Sequence, residues 1–402
     1  MTASDAPGEA ARLTPLALPA ISACYFALGV NMLAPVGLVP QMAREFGVST
    51  GAIAYLLTAS ALAYALSAPV LQMLFGARDR RTLIIYGLWM AGVGSLICAA
   101  APVFAAAIAG RMLMGMGFAL IGPMATAMAA SIVPAKRAGQ AIGIALMGMT
   151  VSTVLGVPLV TFLGAAVGWR LAMVTASAVC VLVIVLLRFQ APAGSRGVRT
   201  TPLAMLGVLK DPVIAPALLA PYFLFAALYA THAMIVVFLV QRYGMPTTLI
   251  PAALWVLGVS GVLGSILITW LQGRARADTL IPIALAALCF MFFMLFVAPP
   301  IPAVTFVLLA FWGVAGSTGP PAMSSRLVAL AGDGRNMVLA LNAALLQCGI
   351  ASGAAIAGIV YDHAGPRFLP LASVGLLTCS ALAYVVSRLS AKRRAEAAAA
   401  PA

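Results

Sequence analysis

The chain has 402 residues, 63% of them hydrophobic and 8% charged, and a mean hydropathy of +1.10, far more apolar surface than a water-soluble fold of this size could hide. That excludes a soluble enzyme, and the net charge of +14, which would suggest a nucleic-acid partner in a soluble protein, needs another explanation here. An integral membrane protein is left, and its spans are expected to be helices, because alternating polarity of the barrel kind is absent.

A hydrocarbon core about 30 Å thick needs roughly 20 apolar residues per helix. Runs of that length predict twelve spans, at 14–38, 50–75, 82–100, 102–131, 138–165, 169–188, 213–240, 248–271, 279–297, 302–328, 335–361 and 367–387. The tail 1–13 carries Asp5 and Glu9 as well as Arg12. With no small-residue cleavage site after it, span one is read as retained.

After span two, "LQMLFGARDRRTLIIYGL" sets Arg78, Asp79, Arg80 and Arg81 in one turn. A topology signal accounts for three arginines but not for the aspartate beside them. Gly76 is expected to let the chain turn where a helix ends. Asp79 is expected to accept bonds from a neighbouring helix N-terminus or from an arginine across the seam between halves, forming a clasp that releases on inward opening.

Span four carries Arg111 about nine residues, or roughly 14 Å, below its entry point, near the midplane. A charge there costs at least about 2.5 kcal/mol, so it must face a wet cavity or helix carbonyls. Gly115, Gly117 and Gly122 in span four, with Gly148 and Gly156 in span five, suit close helix contact. Pro158 removes one helix bond and is expected to let span five bend.

The longest polar connection, "FQAPAGSRGVRTTPLAMLGVLKD", lies in the linker 189–212 and divides a first bundle (14–188) from a second (213–387), which is followed by a tail (388–402). A constant offset of 197 relates the halves. It carries Gly76 onto Gly273, Phe46-Gly47 onto Tyr243-Gly244, and Gly168 onto Gly365. Two six-helix units repeated in one orientation predict a cavity between them and rocking of one against the other.

In the second half, His232 in "YATHAMIVVFL" is the one intramembrane group with a reference pKa near neutrality, roughly 28 Å along span seven. It is read either as a packing residue or as a site of substrate contact or proton exchange. The offset puts it on Pro35, one helical turn beyond Asn31. Tyr25, Tyr222, Tyr229, Trp255 and Trp312 offer flat faces to a sugar or nucleobase, or else anchor the helices at the lipid interface.

Eighteen of the 23 Lys and Arg fall on the side of the N-terminus, which places both termini in the cytoplasm by the bias of basic loops. The six cysteines (Cys24, Cys98, Cys180, Cys289, Cys348 and Cys379) sit in apolar helices with no paired spacing and are expected to be packing residues. No cofactor or metal is expected. Two histidines, His232 and His363, without a buried acid supply neither an acid/base pair nor a metal site, so a membrane enzyme is disfavoured.

"GARDRR" resembles the loop signature of the major facilitator superfamily. "AGRMLMGMGFALIGP" is similar to its fourth-helix signature, "VPAKRAGQAIG" to the loop that follows, and "LGVPLVTFLGAAVGWR" to its exporter pattern in helix five. The resemblance covers the whole chain and is nearest to twelve-helix drug:proton antiporters of the arabinose-efflux and purine-nucleoside-efflux kind. It implies an all-α fold of two pseudo-symmetric bundles, with Arg111 as a cavity arginine of helix four. Where such antiporters commonly carry an acid in helix one, this chain has Asn31, and no Asp or Glu falls inside a predicted span. The cavity is therefore expected to be electropositive.

The resemblance further implies a monomeric, multi-pass secondary transporter of a bacterial inner membrane. It would export a small organic solute such as a drug, sugar or nucleoside against protons, with lipid around it and no nucleic acid. An importer or facilitator of a neutral or anionic metabolite is the alternative, and a transport-fold sensor a further one.

Overall fold

The computed structural model describes residues 16–134, 137–192, 194–195, 210–331 and 335–399. The tail 1–13 and most of the linker lie outside the described residues, as do Arg12, Lys136, Arg196 and Arg199. Among the described residues, twelve helical spans are long and apolar enough to cross a membrane. Spans one to six are Ala17–Phe46, Gly51–Phe75, Arg80–Ala100, Phe104–Ser131, Ala138–Val167 and Trp169–Gln190. Spans seven to twelve are Ile214–His232, Thr247–Gln272, Ala277–Val297, Pro302–Ala331, Met337–Ala364 and Pro366–Arg394.

Among the described residues, three spans are interrupted in their interiors. In span five a π-turn, Ser152–Gly156, separates the helices Ala138–Val151 and Val157–Val167. Pro158 lacks an N–H, and its ring would meet the Val154 carbonyl in a regular helix; the wider turn absorbs that conflict. Span ten breaks between Pro302–Gly316 and Gly319–Ala331. Pro320 and Pro321 release the carbonyls four residues earlier, those of Gly316 and Ser317, and the helix opens there. Span seven stops at His232 and resumes as Ile235–Tyr243, so the expected continuous helix over 213–240 is two pieces.

The repeat appears in backbone geometry. Gly47 and Gly244 end helices in the left-handed region at φ 64° and 62°, and Gly168 and Gly365 turn the chain at φ 90° and 88°. Each pair is 197 residues apart. The same offset relates two arginine contacts. Arg170 donates to the carbonyls of Ala99 and Ala101, and in the second bundle the equivalent carbonyls, Phe296 and Ala298, accept from Arg242. Arg242 occupies the place of Glu45, which in the first bundle pairs with Arg170 at 2.6 Å. Arg367, the counterpart of Arg170, lies over the Phe296 ring instead, 5.1 Å from its centroid.

Small residues set the spacing within the first bundle. Gly115 lies against the Ser60 carbonyl of span two, Gly148 against the Ser22 carbonyl of span one, and Gly156 against the Val30 side chain. Between spans three and four, a Cβ on Gly94 would come 2.5 Å from the Gly110 carbonyl, and one on Gly117 2.5 Å from that of Gly87.

The bundles meet chiefly at the end away from the basic loops. Ser49 Oγ donates to Asp362 at 2.6 Å, and the Gly51 N–H to the same carboxylate at 3.1 Å. Deeper along spans two and eleven, Thr58 Oγ1 donates to the Ala351 carbonyl at 3.0 Å. Spans five and eight complete the seam where Gly258 packs on the backbone of Thr153 and Val154.

Gly148→Ala is expected to destabilise the protein by about 1–3 kcal/mol, because the added methyl meets backbone that cannot withdraw. Gly143→Ala, on the same span with nothing within 4 Å, should be neutral or slightly stabilising. Thermal melting of the two purified variants checks the contrast.

Candidate functional site

A cavity of about 270 Å³ opens between the bundles, walled by spans one, five, seven, eight and ten. All three helix irregularities face it: Thr153 of the π-turn, His232 at the break in span seven, and Gly316 and Ser317 at the break in span ten line its wall. Backbone released from a helix is tolerated at membrane depth only where protein or a wet cavity surrounds it, so the breaks and the cavity belong together.

Its polar wall consists of Thr150, Thr153, Tyr229, His232, Ser265, Trp312 and Ser317. His232 stands edge-on between two rings, with centroids 5.5 Å from Tyr229 and 5.9 Å from Trp312. Phe292 backs Trp312 at 5.1 Å, and Phe225 stacks on Tyr229 at 6.5 Å. No protein hydrogen bond engages the His232 ring nitrogens, the Tyr229 hydroxyl or the Trp312 indole N–H among the described residues. These groups are presented to whatever fills the space. Among the described residues, no Lys, Arg, Asp or Glu lies on the wall.

Arg111 is elsewhere. It is fully buried within the first bundle, its Nη1 donating to the Asn31 carbonyl at 2.7 Å and its Nη2 to the Met32 carbonyl at 2.9 Å. Nε reaches the Leu56 carbonyl at 3.0 Å, and Nη2 also bonds Ser60 Oγ at 2.8 Å. Pro35 explains the arrangement. A proline has no N–H for the carbonyl four residues back, which is that of Asn31, and the guanidinium supplies the missing donor. The expected cavity arginine is thus a tie between spans one, two and four. The electropositive cavity is corrected with it, since the charge does not reach the wall.

Asn31 does not face the cavity either. Its Nδ2 donates to the Ala27 carbonyl at 2.9 Å and to the Ala176 carbonyl of span six at 3.0 Å, with Cys180 Sγ at 3.3 Å. Tyr25 is buried in the first bundle and donates to the Gly122 carbonyl at 2.7 Å, with the Thr126 hydroxyl beside it. Tyr222 packs on Phe223, and Trp255 is half exposed on the outer face. Of the expected contact residues, the structure brings together His232, Tyr229 and Trp312. The wall residues not anticipated are Thr150, Thr153, Ser265 and Ser317. "GVAGSTGPP" carried a signal for the last, because tandem prolines after glycines announce a helix break.

The charged turn closes onto its own bundle. Asp79 caps span three, accepting from the Thr82 N–H at 3.0 Å and the Thr82 hydroxyl at 2.8 Å, and it also takes the Gly194 N–H at 2.7 Å. Arg80 donates to Ser195 Oγ at 2.9 Å and to the Ala127 carbonyl at 3.3 Å, while Arg81 donates to the Ala191 carbonyl at 3.0 Å. The expected bond across the seam is replaced by a staple between the ends of spans three, four and six. Gly76 is helical, with φ −57° and ψ −22°, so the turn does not use its left-handed freedom. Partial burial pushes the Asp79 carboxyl upward, but the Thr82 and Gly194 donors, aided by Arg81, hold it below the ordinary value.

A family model of the Major Facilitator Superfamily matches residues 20–332. The chain is 27% identical over 383 residues to the inner membrane transport protein YdhP of Escherichia coli (strain K12), covering 95% of this chain and 97% of that one. It is 25% identical over 343 residues to the MFS-type transporter YbcL of Bacillus subtilis (strain 168), covering 84% and 87%. Among solved structures, a bacterial homolog of the human lysosomal transporter Spinster, inward-facing and occupied, superposes with a TM-score of 0.73 at 18% identity over 93% of this chain and 96% of that one. The D-xylose-proton symporter gives 0.72 at 18%, again over 93% and 96%. The chain belongs to the Major Facilitator Superfamily. It is a multi-pass transporter of the bacterial inner membrane, not an enzyme.

Two outcomes are expected. Arg111→Met should destabilise the first bundle by several kcal/mol, because each buried carbonyl left without a donor costs about 1–3 kcal/mol; a lowered melting temperature, even in variants that still insert, is the readout. Asp79→Ala should cost about 1 kcal/mol at neutral pH, as loss of a cap does. A depressed native pKa contributes stability above the unfolded value of about 3.9 and loses it as pH falls through the native value, so the gap between wild type and variant should close in that acid range. Melting curves across pH measure it.

Proposed function

We propose that the protein is an alternating-access secondary transporter that exports a small, uncharged organic solute in exchange for protons, working as a monomer with both termini in the cytoplasm. The observation that carries this reading is the uncharged aromatic wall of the cavity, with unengaged hydrogen-bonding groups on His232, Tyr229 and Trp312. A charged solute would have to shed its water there without a counter-charge, at a cost of many kcal/mol. A neutral solute with a flat face and a few polar atoms, such as a nucleoside, a sugar or an uncharged drug, meets rings and hydroxyls instead.

With the basic end in the cytoplasm, the latched seam at Ser49, Gly51 and Asp362 is periplasmic, and the conformation is inward-facing. Proton exchange is assigned to His232, whose reference pKa is nearest neutrality on the wall. Release of solute admits water and a proton to the same ring, which supports exchange of one for the other.

A thermal-shift screen of the purified protein against nucleosides, sugars and uncharged antibiotics supplies the ligand, since binding to the folded form raises the melting temperature. In proteoliposomes, His232→Gln is expected to keep counterflow of that ligand while losing accumulation driven by a pH gradient. Trp312→Ala should weaken binding about three- to tenfold, the worth of one aromatic contact. Undiminished pH-driven accumulation in His232→Gln removes the proton assignment, and wild-type flux indifferent to the gradient makes the protein a facilitator.

A further inference from the structure

At the basic end of the second bundle, spans nine, ten and twelve leave a second cavity of about 620 Å³, remote from the first. Its wall combines Asp278, Arg326, Arg388 and Lys392 with the apolar side chains of Leu330, Val385 and Leu389. Arg326 is the built element. Its side chain is 8% exposed, with Nε on Asp278 Oδ1 at 2.9 Å and Nη1 on Ser387 Oγ at 2.9 Å. Ser387 in turn donates to the Val213 carbonyl, and the Tyr384 ring lies under the guanidinium with its centroid 5.2 Å away. Nη2 is left without a protein acceptor among the described residues.

In the first bundle Arg80 and Arg81 of the charged turn donate to backbone carbonyls, those of Ala127 and Ala191. Here Asp278 is already held by Arg326. Arg388 has no hydrogen bond or ion pair among the described residues, and Lys392 meets only Glu396, 3.7 Å away in a pair with both side chains well exposed. Arg388, Lys392 and the remaining N–H donor of Arg326 therefore share a cavity wall whose one carboxylate, Asp278, is already paired. Below them Val385 and Leu389, with Leu382 one turn further, run exposed down the outer face of span twelve.

We propose that this cavity binds an anionic glycerophospholipid of the cytoplasmic leaflet, its phosphate between Arg326 Nη2, Arg388 and Lys392 and an acyl chain along Leu389, Val385 and Leu382. A phosphate alone would satisfy the cations but not the apolar track, and a zwitterionic lipid would bring its own cation to a site already in surplus of positive charge. Each basic side chain near a membrane surface strengthens such binding by about one kcal/mol, so two together should change affinity roughly tenfold to thirtyfold.

The test uses the full chain, delipidated in non-ionic detergent and titrated with dioleoylphosphatidylglycerol, with bound lipid counted by native mass spectrometry. Wild type should retain this lipid in preference to dioleoylphosphatidylcholine. R388A/K392A, whose side chains are exposed and whose melting temperature should match wild type, should lose affinity at least about tenfold. R274A/R276A, at the same basic end but off the cavity, should not. Equal retention by R388A/K392A and wild type overturns the proposal. So does equal affinity for phosphatidylcholine, or displacement of the lipid by inorganic phosphate, which would leave only a general anion site.

Discussion

A carbonyl released from its helix inside a bilayer has no water to turn to, and much of this structure follows from where those carbonyls go. Pro35 frees the Asn31 carbonyl near mid-depth of span one. An arginine suits the task, because it reaches across from a neighbouring helix and its remaining N–H groups can find further acceptors. Arg111 meets that condition by bonding the carbonyls of Asn31, Met32 and Leu56 and the hydroxyl of Ser60. The charge and the proline are two halves of one device: either alone would be costly at that depth, and together they fasten spans one, two and four.

The second bundle faces the same constraint and resolves it differently. The position equivalent to Pro35 is His232, where span seven breaks outright, and the counterpart of Arg111 is Leu308. Span ten opens under tandem prolines, and span five, though in the first bundle, opens under Pro158 at the seam. The released backbone is gathered around the space between the bundles rather than tied off inside one of them. One six-helix unit is thus pinned through its middle, while the other carries its irregularities on the wall of the cavity. In the proposed transport cycle, local rearrangement belongs to spans five, seven and ten, while spans one, two and four stay fastened together.

Much of the fold was legible in the sequence because a bilayer imposes length and end chemistry on every span. Helix count and the 197-residue offset follow from apolar runs and punctuating glycines, and the paired positive φ values at Gly47 and Gly244, and at Gly168 and Gly365, show the same turn built twice. Facing was not legible. In helices apolar nearly all round there is no polar stripe to say which side meets a cavity, so the depth of Arg111 could be counted while its direction could not. Asn31 turned to span six for the same reason. His232, Tyr229 and Trp312 do meet at the cavity, yet nothing in their spacing distinguishes them from Tyr25 or Trp255, which do not. The hydroxyls of Thr153 and Ser317 were hidden for another reason: they reach the wall only because the helix carrying each is broken.

In the proposed cycle, the seam that holds the present conformation has to be breakable by the solute or proton that drives it. To carry a two-state equilibrium from one side fully to the other takes about 5.5 kcal/mol of differential binding, within reach of a small ligand only if the closed end contributes little on its own. The contacts at Asp362 fit that condition. They are two hydrogen bonds to a carboxylate at an exposed rim, each worth on the order of 1 kcal/mol net, beside a close approach of Gly51 and Gly358 whose fit depends on the absence of side chains. A larger apolar interface there would lock the bundles together. Small residues allow the two backbones to touch there. The polar latch supplies register, fixing which faces meet, while leaving the balance between open and closed to be decided in the cavity.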